Sequence, residues 1–411
     1  MSELSQQVKP EDAGFDADRL ARVDRHFARY VDDGRLPGWQ LVIARGGKVC
    51  HVTSCGARDK ESGAPIEPDT LFRIYSMSKP ITSVAAMMLY EEGAFDLKDP
   101  VSRFVPAFAE SRVFTGGTSL NPVTEPQTEP MRIWHLLTHT AGLTYGFHYA
   151  HPVDALYRQA GFDFGHPPDT DLAGACDLWA AQPLLFQPGT EWNYSVATDV
   201  LGRVIEVASG QSLDTFLAER IFEPLGMDDT TFWVEEARQD RLAALYVPMP
   251  ETKEAVRWDP IGDEAKKPPR VLSGGGGLVS TSGDYHRFTE MLRRGGELDG
   301  TRLLGPRTLA YMTQNHLPGD ADLETIGRKL FAETTYDGVG FGLGFSVVMS
   351  PVQNKVLSSI GDFGWGGAAS TTFWVDPVED LTVSFMTQLL PSSTHPIRPQ
   401  LKQLIYQALI D

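Results

Sequence analysis

Two strand-like runs near the N-terminus place the strongest constraint on the fold, since they form too small a sheet to be stable alone. The segment GWQLVIARGGKVCHVTSCGARD is rich in valine and isoleucine and is broken by Gly46-Gly47, which predicts a β-hairpin. A sheet of only two strands is marginally stable in water. Strand-like runs return after Gly274-Gly275-Gly276-Gly277, so we expect the hairpin to pair with strands from the opposite end of the chain.

The two ends of the chain supply both the strands and the flanking helices of this predicted sheet. Residues 15–34 carry apolar side chains at helical spacing, and the last segment, IRPQLKQLIYQALI, predicts a closing helix. Four C-terminal runs have the composition or alternation of strands: GFGLGFSVVMS, KVLSSIGDFG, STTFWVDP and DLTVSFMTQL. A turn sequence at residues 376–380 joins the last two. These patterns predict an antiparallel sheet built from both chain ends and flanked by helices.

Between the two ends the chain changes character. Helical patterns such as MRIWHLLTHTAGL alternate with irregular stretches rich in proline, glycine and aromatic residues, from about residue 80 to residue 270. We predict an α+β protein in which residues 1–79 and 271–411 form the sheet domain and residues 80–270 form an inserted, mostly helical domain. A cleft where two domains meet is the usual place for a small-molecule site.

Composition and charge exclude several classes of partner. The chain has 411 residues, of which 42% are hydrophobic, and its net charge is −18. No basic cluster offsets this charge, which argues against nucleic acid and anionic membrane surfaces as partners. The N-terminal segment MSELSQQVKPEDAGFDADRL is polar, and no run approaches ~18 uninterrupted apolar residues, so neither a signal peptide nor a membrane helix is expected. With only three cysteines, these features predict a cytoplasmic protein.

The tetrapeptide Ser76-Met77-Ser78-Lys79, followed by Pro80, carries the clearest chemical signal. Side chains three residues apart on a helix share one face, so the Lys79 amine is within reach of the Ser76 hydroxyl. Pro80 is tolerated only in the first turn, which predicts that the helix begins within a residue or so of Ser76, at the positive end of its dipole. A lysine whose pKa is lowered by burial can be the base that makes the hydroxyl a nucleophile.

A second segment, PGTEWNYSVATDVLGRVIE, can converge on the same cleft. Tyr194 is predicted on a loop, with a helix beginning at or just before Asp199. A positive charge on Lys79 would make the Tyr194 phenol lose its proton more readily, and the phenolate could then move the proton of Ser76 to the leaving group. The alternative interpretation is a tyrosine that merely packs beside Trp192.

The third segment is Trp365-Gly366-Gly367-Ala368, in a strand-like part of the chain. Glycines within a strand allow a ligand or another backbone to approach closely. A free backbone N–H on this edge, together with that of Ser76, would provide the two donors of an oxyanion hole. A simple β-bulge is the alternative interpretation of these glycines.

These residues, in this order and spacing, resemble the serine β-lactamase and penicillin-binding-protein superfamily. The resemblance covers nearly the whole chain and is closest to the branch that contains class C β-lactamases and family VIII carboxylesterases. The segments that carry it are LFRIYSMSKPITSVAAMMLYEEGAFDLKDPVSRFVP, IWHLLTHTAGLTY, FQPGTEWNYSVATDVLGRVIE, IFEPLGMDDTTF and SGGGGLVSTSGDYHRF. The resemblance implies a β-lactamase/transpeptidase-like fold for the predicted α+β architecture.

The resemblance also implies roles for individual residues. Ser76 resembles the acylated nucleophile of the superfamily, Lys79 the lysine that tunes it, and Tyr194 the general base and acid. The backbone N–H groups of Ser76 and Ala368 resemble the oxyanion hole. Which residue takes the first proton is disputed within the superfamily and stays open here. No metal or cofactor is implied.

Two departures from the superfamily pattern bear on the substrate. Many β-lactamases and peptidases have asparagine two residues after the tyrosine, whereas Val196 stands here and cannot hydrogen-bond an amide side chain. Their third motif usually opens with lysine, whereas Trp365-Gly366-Gly367 matches the esterase branch. The missing lysine removes a cation for a substrate carboxylate, a loss of about 1.5–3 kcal/mol. Trp365 instead offers an apolar wall, so Val196, Trp365, Gly366 and Gly367 are predicted substrate-binding positions.

The aromatic stretch from Tyr145 to Asp171 predicts either a packed surface loop or a lid over the cleft. In the second case Phe147, Tyr149 or Tyr157 would contact the acyl group, and Phe147 and Tyr149 are the substrate-binding candidates that we name from it. Long structured loops in compact domains are often functional, which keeps the lid interpretation open.

Two other features have simpler interpretations. His135 and His139 have the spacing of a metal pair, but no HExxH pattern accompanies them, which favours structural histidines. Gly274-Gly275-Gly276-Gly277 lacks the lysine of a phosphate-binding loop, so we predict a turn that enters a strand.

The function predicted from these features is that of a serine carboxylesterase, which cleaves short-chain acyl esters through an acyl-enzyme on Ser76. Its partner would be a small-molecule ester. An acyltransferase, an amidase or peptidase, or a weak β-lactamase would use the same acyl-enzyme and stays an alternative. A non-enzymatic scaffold or peptide-binding protein is a further alternative, against which the three intact motifs argue.

Overall fold

An eight-stranded antiparallel sheet forms the centre of the molecule in the computed structural model, which describes residues 4–410. The strands in these residues are β1 (Gly38–Arg45), β2 (Lys48–Asp59), β3 (Ala64–Pro65), β4 (Phe72–Arg73), β5 (Arg112–Thr118), β6 (Asn121–Pro126), β7 (Tyr246–Pro248), β8 (Ala255–Arg257), β9 (Val279–Ser280), β10 (Glu297–Leu298), β11 (Thr301–Arg302), β12 (Val339–Phe341), β13 (Ser346–Val348), β14 (Phe363–Gly366), β15 (Thr372–Asp376) and β16 (Leu381–Thr387). The central sheet has the order β12-β13-β14-β15-β16-β1-β2-β3, and the other strands pair as β4-β9, β5-β6, β7-β8 and β10-β11.

The central sheet joins the two ends of the chain, which confirms the predicted fold class. Strand β1 lies between β16 and β2, with Leu41 opposite Phe385 on one side and opposite Thr53 on the other. The β1–β2 turn is made by Gly46 and Gly47, whose φ angles of 60° and 74° are readily adopted by glycine. The N-terminal hairpin is therefore stabilised by pairing with the last strand of the chain.

Helices cover the sheet and supply most of the regular secondary structure of the inserted region. They are α1 (Ala17–Asp32), α2 (Ser78–Glu91), α3 (Ile133–Leu137), α4 (Pro152–Gln159), α5 (Leu172–Ala180), α6 (Ala197–Ser209), α7 (Leu213–Leu217), α8 (Glu223–Leu225), α9 (Asp259–Gly262), α10 (Ser282–Arg293), α11 (Pro306–Met312), α12 (Leu323–Ile326), α13 (Pro351–Asn354) and α14 (Ile397–Tyr406). Asp16 caps α1 by accepting from the Arg19 N–H at 2.9 Å. The terminal helices α1 and α14 lie together, and Tyr30 Oη donates to Gln400 Oε1 at 2.9 Å.

The two faces of the sheet pack against different helices. On the face toward α1 and α14, the Phe385 ring lies 5.1 Å from that of Phe27 and 5.8 Å from that of Trp39. On the opposite face, Phe373 lies 5.1 Å from Tyr285 of α10. The Tyr285 hydroxyl donates to the Met77 carbonyl at 3.0 Å, so this second core also supports the turn before α2.

Two of the predicted C-terminal strands differ from the structure. GFGLGFSVVMS forms two strands, β12 and β13, because the Gly342 N–H donates to the Phe345 carbonyl at 2.8 Å and closes a tight turn. In KVLSSIGDFG only the end is a strand, since β14 begins at Phe363. Leu357 and Ile360, which suggested a strand there, are 53% and 68% exposed and cover no core.

The inserted region contains strands that the sequence analysis missed. Strands β5 and β6 form one hairpin and β7 and β8 form another. The β5–β6 hairpin shows little apolar alternation in the sequence, since Leu120 is 89% exposed and Val123 is 55% exposed. The division at residues 79/80 and 270/271 into two domains stays a prediction.

No helix among residues 4–410 combines the length and apolarity needed to cross a bilayer.

Cys50, Cys55 and Cys176 are free thiols, and Cys50 and Cys176 are buried. Burial raises the pKa of the Cys50 thiol to about 11. Neither buried cysteine has the lowered pKa that marks a reactive thiol.

Replacing Phe385 with alanine tests the dependence of the fold on the β1–β16 core. The free energy of unfolding should fall by about 3–5 kcal/mol, because a fully buried aromatic ring leaves a cavity between the sheet and the terminal helices. Urea denaturation measures this loss. Val378→Ala is the matched control, since Val378 lies in the β15–β16 turn and is 68% exposed. Equal losses in the two variants would contradict the assignment of this core.

Candidate active site

Ser76 lies in a tight turn at the start of helix α2. The chain passes from β4 through a 3-10 helix, Tyr75–Met77, and α2 begins at Ser78, with Pro80 in its first turn as predicted. Tyr75 has a φ of 43°, in the left-handed region that is costly for a residue with a side chain. Such strain is typical of a turn that presents a functional group.

The Lys79 amine is directed at the Ser76 hydroxyl. Lys79 Nζ lies 3.3 Å from Ser76 Oγ and donates to the Gly275 carbonyl at 2.6 Å. Burial lowers the pKa of Lys79 to about 8, although the charges of Asp199 and Glu333 act in the opposite direction. The pair has the geometry that the spacing predicts, and the neutral amine is accessible near neutral pH.

The glycine-rich turn holds the lysine, a contact that the sequence analysis missed. Asp199 Oδ1 accepts from the Gly275 N–H at 3.0 Å and from Ser273 Oγ at 2.5 Å. A Cβ on Gly275 would lie 2.5 Å from Asp199 Oδ2, so this approach requires glycine. Asp199 thereby orients the carbonyl that accepts from Lys79. The turn does enter a strand, β9, and its run of glycines was the available signal for a close approach.

Tyr194 completes the group on the loop before α6. Its ring centroid lies 4.6 Å from Lys79 Nζ and 5.5 Å from the ring centroid of Trp365. The Tyr194 ring also stacks on Trp192, with 6.3 Å between the ring centroids. The tyrosine therefore both packs beside Trp192, as in the alternative interpretation, and lies near the lysine. The three segments chosen from the sequence therefore meet around one point.

The charge state of Tyr194 differs from the expectation. Burial raises the pKa of Tyr194 well above its ordinary value, and the charge of Glu333 raises it further. Ser76 and Trp365 lie close enough to lower this pKa, but neither forms a hydrogen bond of regular geometry with the Tyr194 hydroxyl. The cost of desolvating the phenolate is the dominant effect, so the phenol is neutral in the free protein.

The third segment approaches the Ser76 turn through its glycines. Trp365 is buried on β14. A Cβ on Gly366 would lie 2.1 Å from Arg398 Nη2, and a Cβ on Gly367 would lie 2.3 Å from the Ile74 carbonyl oxygen. Both glycines therefore allow close approaches that any side chain would prevent.

The two predicted oxyanion donors, the backbone N–H groups of Ser76 and Ala368, belong to residues one or two positions from the contact between Gly367 and Ile74. Ala368 follows β14 and is partly exposed, whereas Ser76 is almost buried. Among residues 4–410, neither the Ser76 N–H nor the Ala368 N–H donates to the turn, loop or cap carbonyls. The role of both donors in holding an oxyanion stays a prediction.

Val196 and the two histidines have structural contacts. Val196 is buried at the start of α6, and its N–H donates to the Thr144 carbonyl at 3.4 Å. His139 Nδ1 lies 3.2 Å from Ser195 Oγ, and His135 Nδ1 accepts from the Arg132 N–H at 3.0 Å. The described part of the chain contains no cluster of three or more His, Cys, Asp or Glu side chains that could hold a metal ion.

The structure separates the two lid candidates. Phe147 stacks on Tyr145 at 4.6 Å, and Tyr145 lies 5.3 Å from the Tyr194 ring. Tyr149 is 59% exposed, and its hydroxyl donates to Asp163 Oδ2 at 2.8 Å. Phe147 is therefore connected to the site, whereas Tyr149 is bonded on the outer surface of its loop.

Tyr145 is a neighbour of the site that the sequence analysis did not select. Its ring centroid lies 5.5 Å from Lys79 Nζ. It ends the segment IWHLLTHTAGLTY, which carried part of the family resemblance and was the available signal. Tyr157, a further candidate from the aromatic stretch, is 1% exposed and packs in the hydrophobic core.

Comparison with known proteins identifies the family. A profile described as Beta-lactamase matches residues 23–407. The chain belongs to this family. It is therefore an enzyme of the serine β-lactamase-like superfamily, which confirms the resemblance found in the sequence.

Relatives in this family include an esterase. The chain is 32% identical to Esterase EstB of Burkholderia gladioli over 400 residues, and the aligned region covers 92% of this chain and 93% of EstB. It is 36% identical over 363 residues to Protein Rv1367c of Mycobacterium tuberculosis, which covers 88% of each chain. The solved structure of EstCE1, described as a hydrolase with promiscuous acyltransferase activity, matches with a TM-score of 0.78 at 29% identity and covers 96% of this chain and 99% of that one.

Lys79→Met tests the buried amine through the pH dependence of stability. The pKa of Lys79 in the folded protein is about 8, below its ordinary 10.5, so between these values the unfolded chain binds a proton that the folded protein does not. Wild-type stability should therefore rise through this window by about 3 kcal/mol relative to Lys79→Met.

Urea denaturation at a series of pH values measures this difference. The free energy of unfolding of Lys79→Met should exceed that of the wild type most below pH 8, and this difference should shrink toward pH 10.5. Lys48→Met, at an exposed position at the start of β2, controls for the general effect of removing a lysine. A difference that does not change with pH would show that the amine is not destabilised by burial.

Proposed function

We propose that the protein is a carboxylesterase of the class C β-lactamase-like type, similar to family VIII esterases, which hydrolyses short-chain, uncharged acyl esters. The observation that carries the proposal is the 3.3 Å separation between Lys79 Nζ and Ser76 Oγ, with the Tyr194 ring 4.6 Å from the same amine. The relationship to Esterase EstB supports an ester as the substrate. The reaction passes through an acyl-enzyme on Ser76.

In the acylation step, Ser76 Oγ attacks the ester carbonyl carbon and its proton passes to the neutral amine of Lys79. The lowered pKa of Lys79 supports this direction of transfer, and the raised pKa of Tyr194 keeps a proton on the phenol. Tyr194 then donates its proton to the departing alcohol as the C–O bond breaks, and recovers a proton from the Lys79 ammonium. The alcohol leaves, and the acyl group stays on Ser76.

The tetrahedral intermediates need a site for their negative charge. We assign this role to the backbone N–H groups of Ser76 and Ala368, because backbone donors that are already oriented stabilise an oxyanion without reorganisation. The close approach of Gly367 to the Ile74 backbone brings the two segments together. Water then attacks the acyl carbon, its proton returns through the same groups to Ser76 Oγ, and the carboxylic acid is released.

Apolar residues at two motif positions support an uncharged substrate. Trp365 stands where many β-lactamases and peptidases carry lysine, and it is 2% exposed. Val196, at 4% exposure, replaces an amide side chain with a hydrocarbon. A β-lactam carboxylate would lose a charge-assisted hydrogen bond at the first position, a loss equivalent to about a ten- to hundredfold decrease in affinity.

Ser76→Ala and Tyr194→Phe test the mechanism with p-nitrophenyl butyrate. The first variant should lower kcat at least about a thousandfold, because no acyl-enzyme can form. The second should lower kcat by about a hundred- to ten-thousandfold, because the leaving alcohol loses its proton donor. Release of p-nitrophenol measures both.

Ser209→Ala is the matched control for these variants. Ser209 lies at the far end of α6, where its hydroxyl donates to the Ile205 carbonyl at 2.7 Å and accepts from the Gln211 N–H at 3.2 Å. This variant should keep wild-type turnover. Near-normal turnover by Ser76→Ala would contradict the acyl-enzyme, and failure of a fluorophosphonate probe to label Ser76 in the wild type would favour the non-enzymatic alternative.

Acyl transfer is a second candidate activity, favoured by the description of EstCE1 as a hydrolase with acyltransferase activity. With p-nitrophenyl butyrate and added butan-1-ol, an acyl-enzyme that accepts alcohols should give butyl butyrate as well as butyric acid. Gas chromatography measures the ratio of ester to acid, and Ser76→Ala controls for the uncatalysed reaction. Butyric acid as the sole product would mean that the protein is a hydrolase only.

A further inference from the structure

A partly buried arginine, with a side chain 25% exposed, lies directly beside the third motif. Arg398, on the first turn of α14, directs Nη2 at the Gly367 carbonyl at 3.2 Å and at the Thr371 carbonyl at 3.3 Å. The guanidinium occupies the space that a side chain at Gly366 would fill. A cation is therefore present next to the motif, although the lysine that usually opens this motif is absent.

This cation is already paired with a carboxylate from the same chain. Glu333, whose side chain is fully buried, accepts from Arg398 Nη2 and from Ser392 Oγ, the latter at 2.8 Å, through Oε2. Arg398 Nη1 also donates to the Glu333 backbone carbonyl at 2.8 Å. A guanidinium and a hydroxyl that converge on one carboxylate oxygen make a built anion-binding site, and here a residue of the protein fills it.

The segment that carries Glu333 packs against aromatic residues near the site. It lies between α12 and β12, and Phe331 on the same segment contacts the Phe147 ring at 6.2 Å. Tyr336, also on this segment, contacts the Trp192 ring at 5.8 Å. The negative charge of Glu333 acts on the two central ionisable groups of the site, since it raises the pKa of both Tyr194 and Lys79.

We propose that Arg398 and Ser392 form a carboxylate-binding subsite beside Gly366-Gly367, and that Glu333 fills it and so makes the enzyme select uncharged over anionic esters. This inference rests on the proposed esterase function and adds a specificity-determining residue to it. An ester carboxylate that approaches the third motif meets a cation that is already neutralised. It also meets Glu333 Oε1, a buried oxygen with no hydrogen-bond partner among the described residues. Repulsion between the buried Glu333 carboxylate and a second carboxylate disfavours the anionic substrate.

The test compares kcat/KM for two pairs of esters that differ by one carboxylate. One pair has the charge on the alcohol side, the butyrates of 4-nitrophenol and of 3-carboxy-4-nitrophenol. The other has it on the acyl side, p-nitrophenyl hexanoate and mono-p-nitrophenyl adipate. In Glu333→Gln the ratio of anionic to neutral turnover should rise by about ten- to a hundredfold for at least one pair, because Arg398 becomes free to bind the carboxylate.

Two further variants isolate the cause. Glu191→Gln removes a carboxylate that pairs with Arg328 in the same region, at 3.0 Å, and it should leave both ratios unchanged. Adding Arg398→Gln to Glu333→Gln should abolish the gain. An unchanged ratio in Glu333→Gln for both pairs, with the neutral esters still hydrolysed, would overturn the inference while leaving the esterase proposal intact.

Two other measurements keep the inference testable if Glu333→Gln folds poorly. The wild-type enzyme should itself prefer the neutral member of each pair by at least about tenfold, and equal turnover of both members would overturn the inference. Sodium acetate should raise the Tm of Glu333→Ala more than that of the wild type, because acetate can enter the vacated subsite. This shift does not depend on esterase activity, so it separates a missing subsite from a wrong function. The same Tm shift in both proteins would overturn the subsite.

Discussion

The antiparallel pairing of β1 with β16 organises the whole fold. It converts an N-terminal hairpin, too small to be stable alone, into the middle of an eight-stranded sheet. Because β14 is joined to β16 through β15, the same pairing sets the position of Trp365 and the glycines that follow it. The opposite face of that sheet packs on α10, whose Tyr285 hydroxyl bonds to the turn before α2. The central sheet and α10 thus hold both the nucleophile turn and the third motif.

Within this frame the site depends on how buried charges are compensated. The Lys79 amine is kept in an almost inaccessible position by the Gly275 carbonyl, which Asp199 orients through the Gly275 N–H. A carbonyl dipole stabilises an ammonium less than a carboxylate in contact would, so the pKa of Lys79 stays low. Arg398, in contrast, receives a full countercharge from Glu333. The same molecule thus keeps one cation reactive and neutralises the other.

The aromatic residues around the site give it a dry, largely apolar boundary. Trp365, Trp192 and Tyr145 all lie against Tyr194, and none of these contacts supplies a charge. Removal of water strengthens the electrostatic effect of backbone donors on an oxyanion, but it also makes an unpaired phenolate costly. This balance explains why the phenol of Tyr194 is neutral in the free protein, whereas a lysine three residues from the serine can lose its proton.

Much of the fold and of the site could be predicted from the sequence, because the signals were local or carried by family motifs. The spacing of Ser76 and Lys79, the helix start marked by Pro80, and the terminal hairpin with its distant partner strands are properties of short segments. The hairpin β5–β6 was missed because its side chains are exposed and give no apolar alternation. The turn that divides GFGLGFSVVMS was missed because glycine is compatible with both a strand and a reversal.

Contacts between segments far apart in the chain arise only in the folded protein. These contacts leave no pattern at any fixed spacing in the sequence. They include the hydrogen bond from the Gly275 N–H to Asp199, the exposed position of Tyr149 on the outer surface of its loop, and the ion pair of Glu333 with Arg398. Desolvation is likewise a property of the assembled protein, and so the sequence predicted the wrong direction for the pKa of Tyr194. Local sequence specifies which chemical groups are present and which backbone elements carry them. The fold determined their charge states and their neighbours, because both depend on how completely water is excluded.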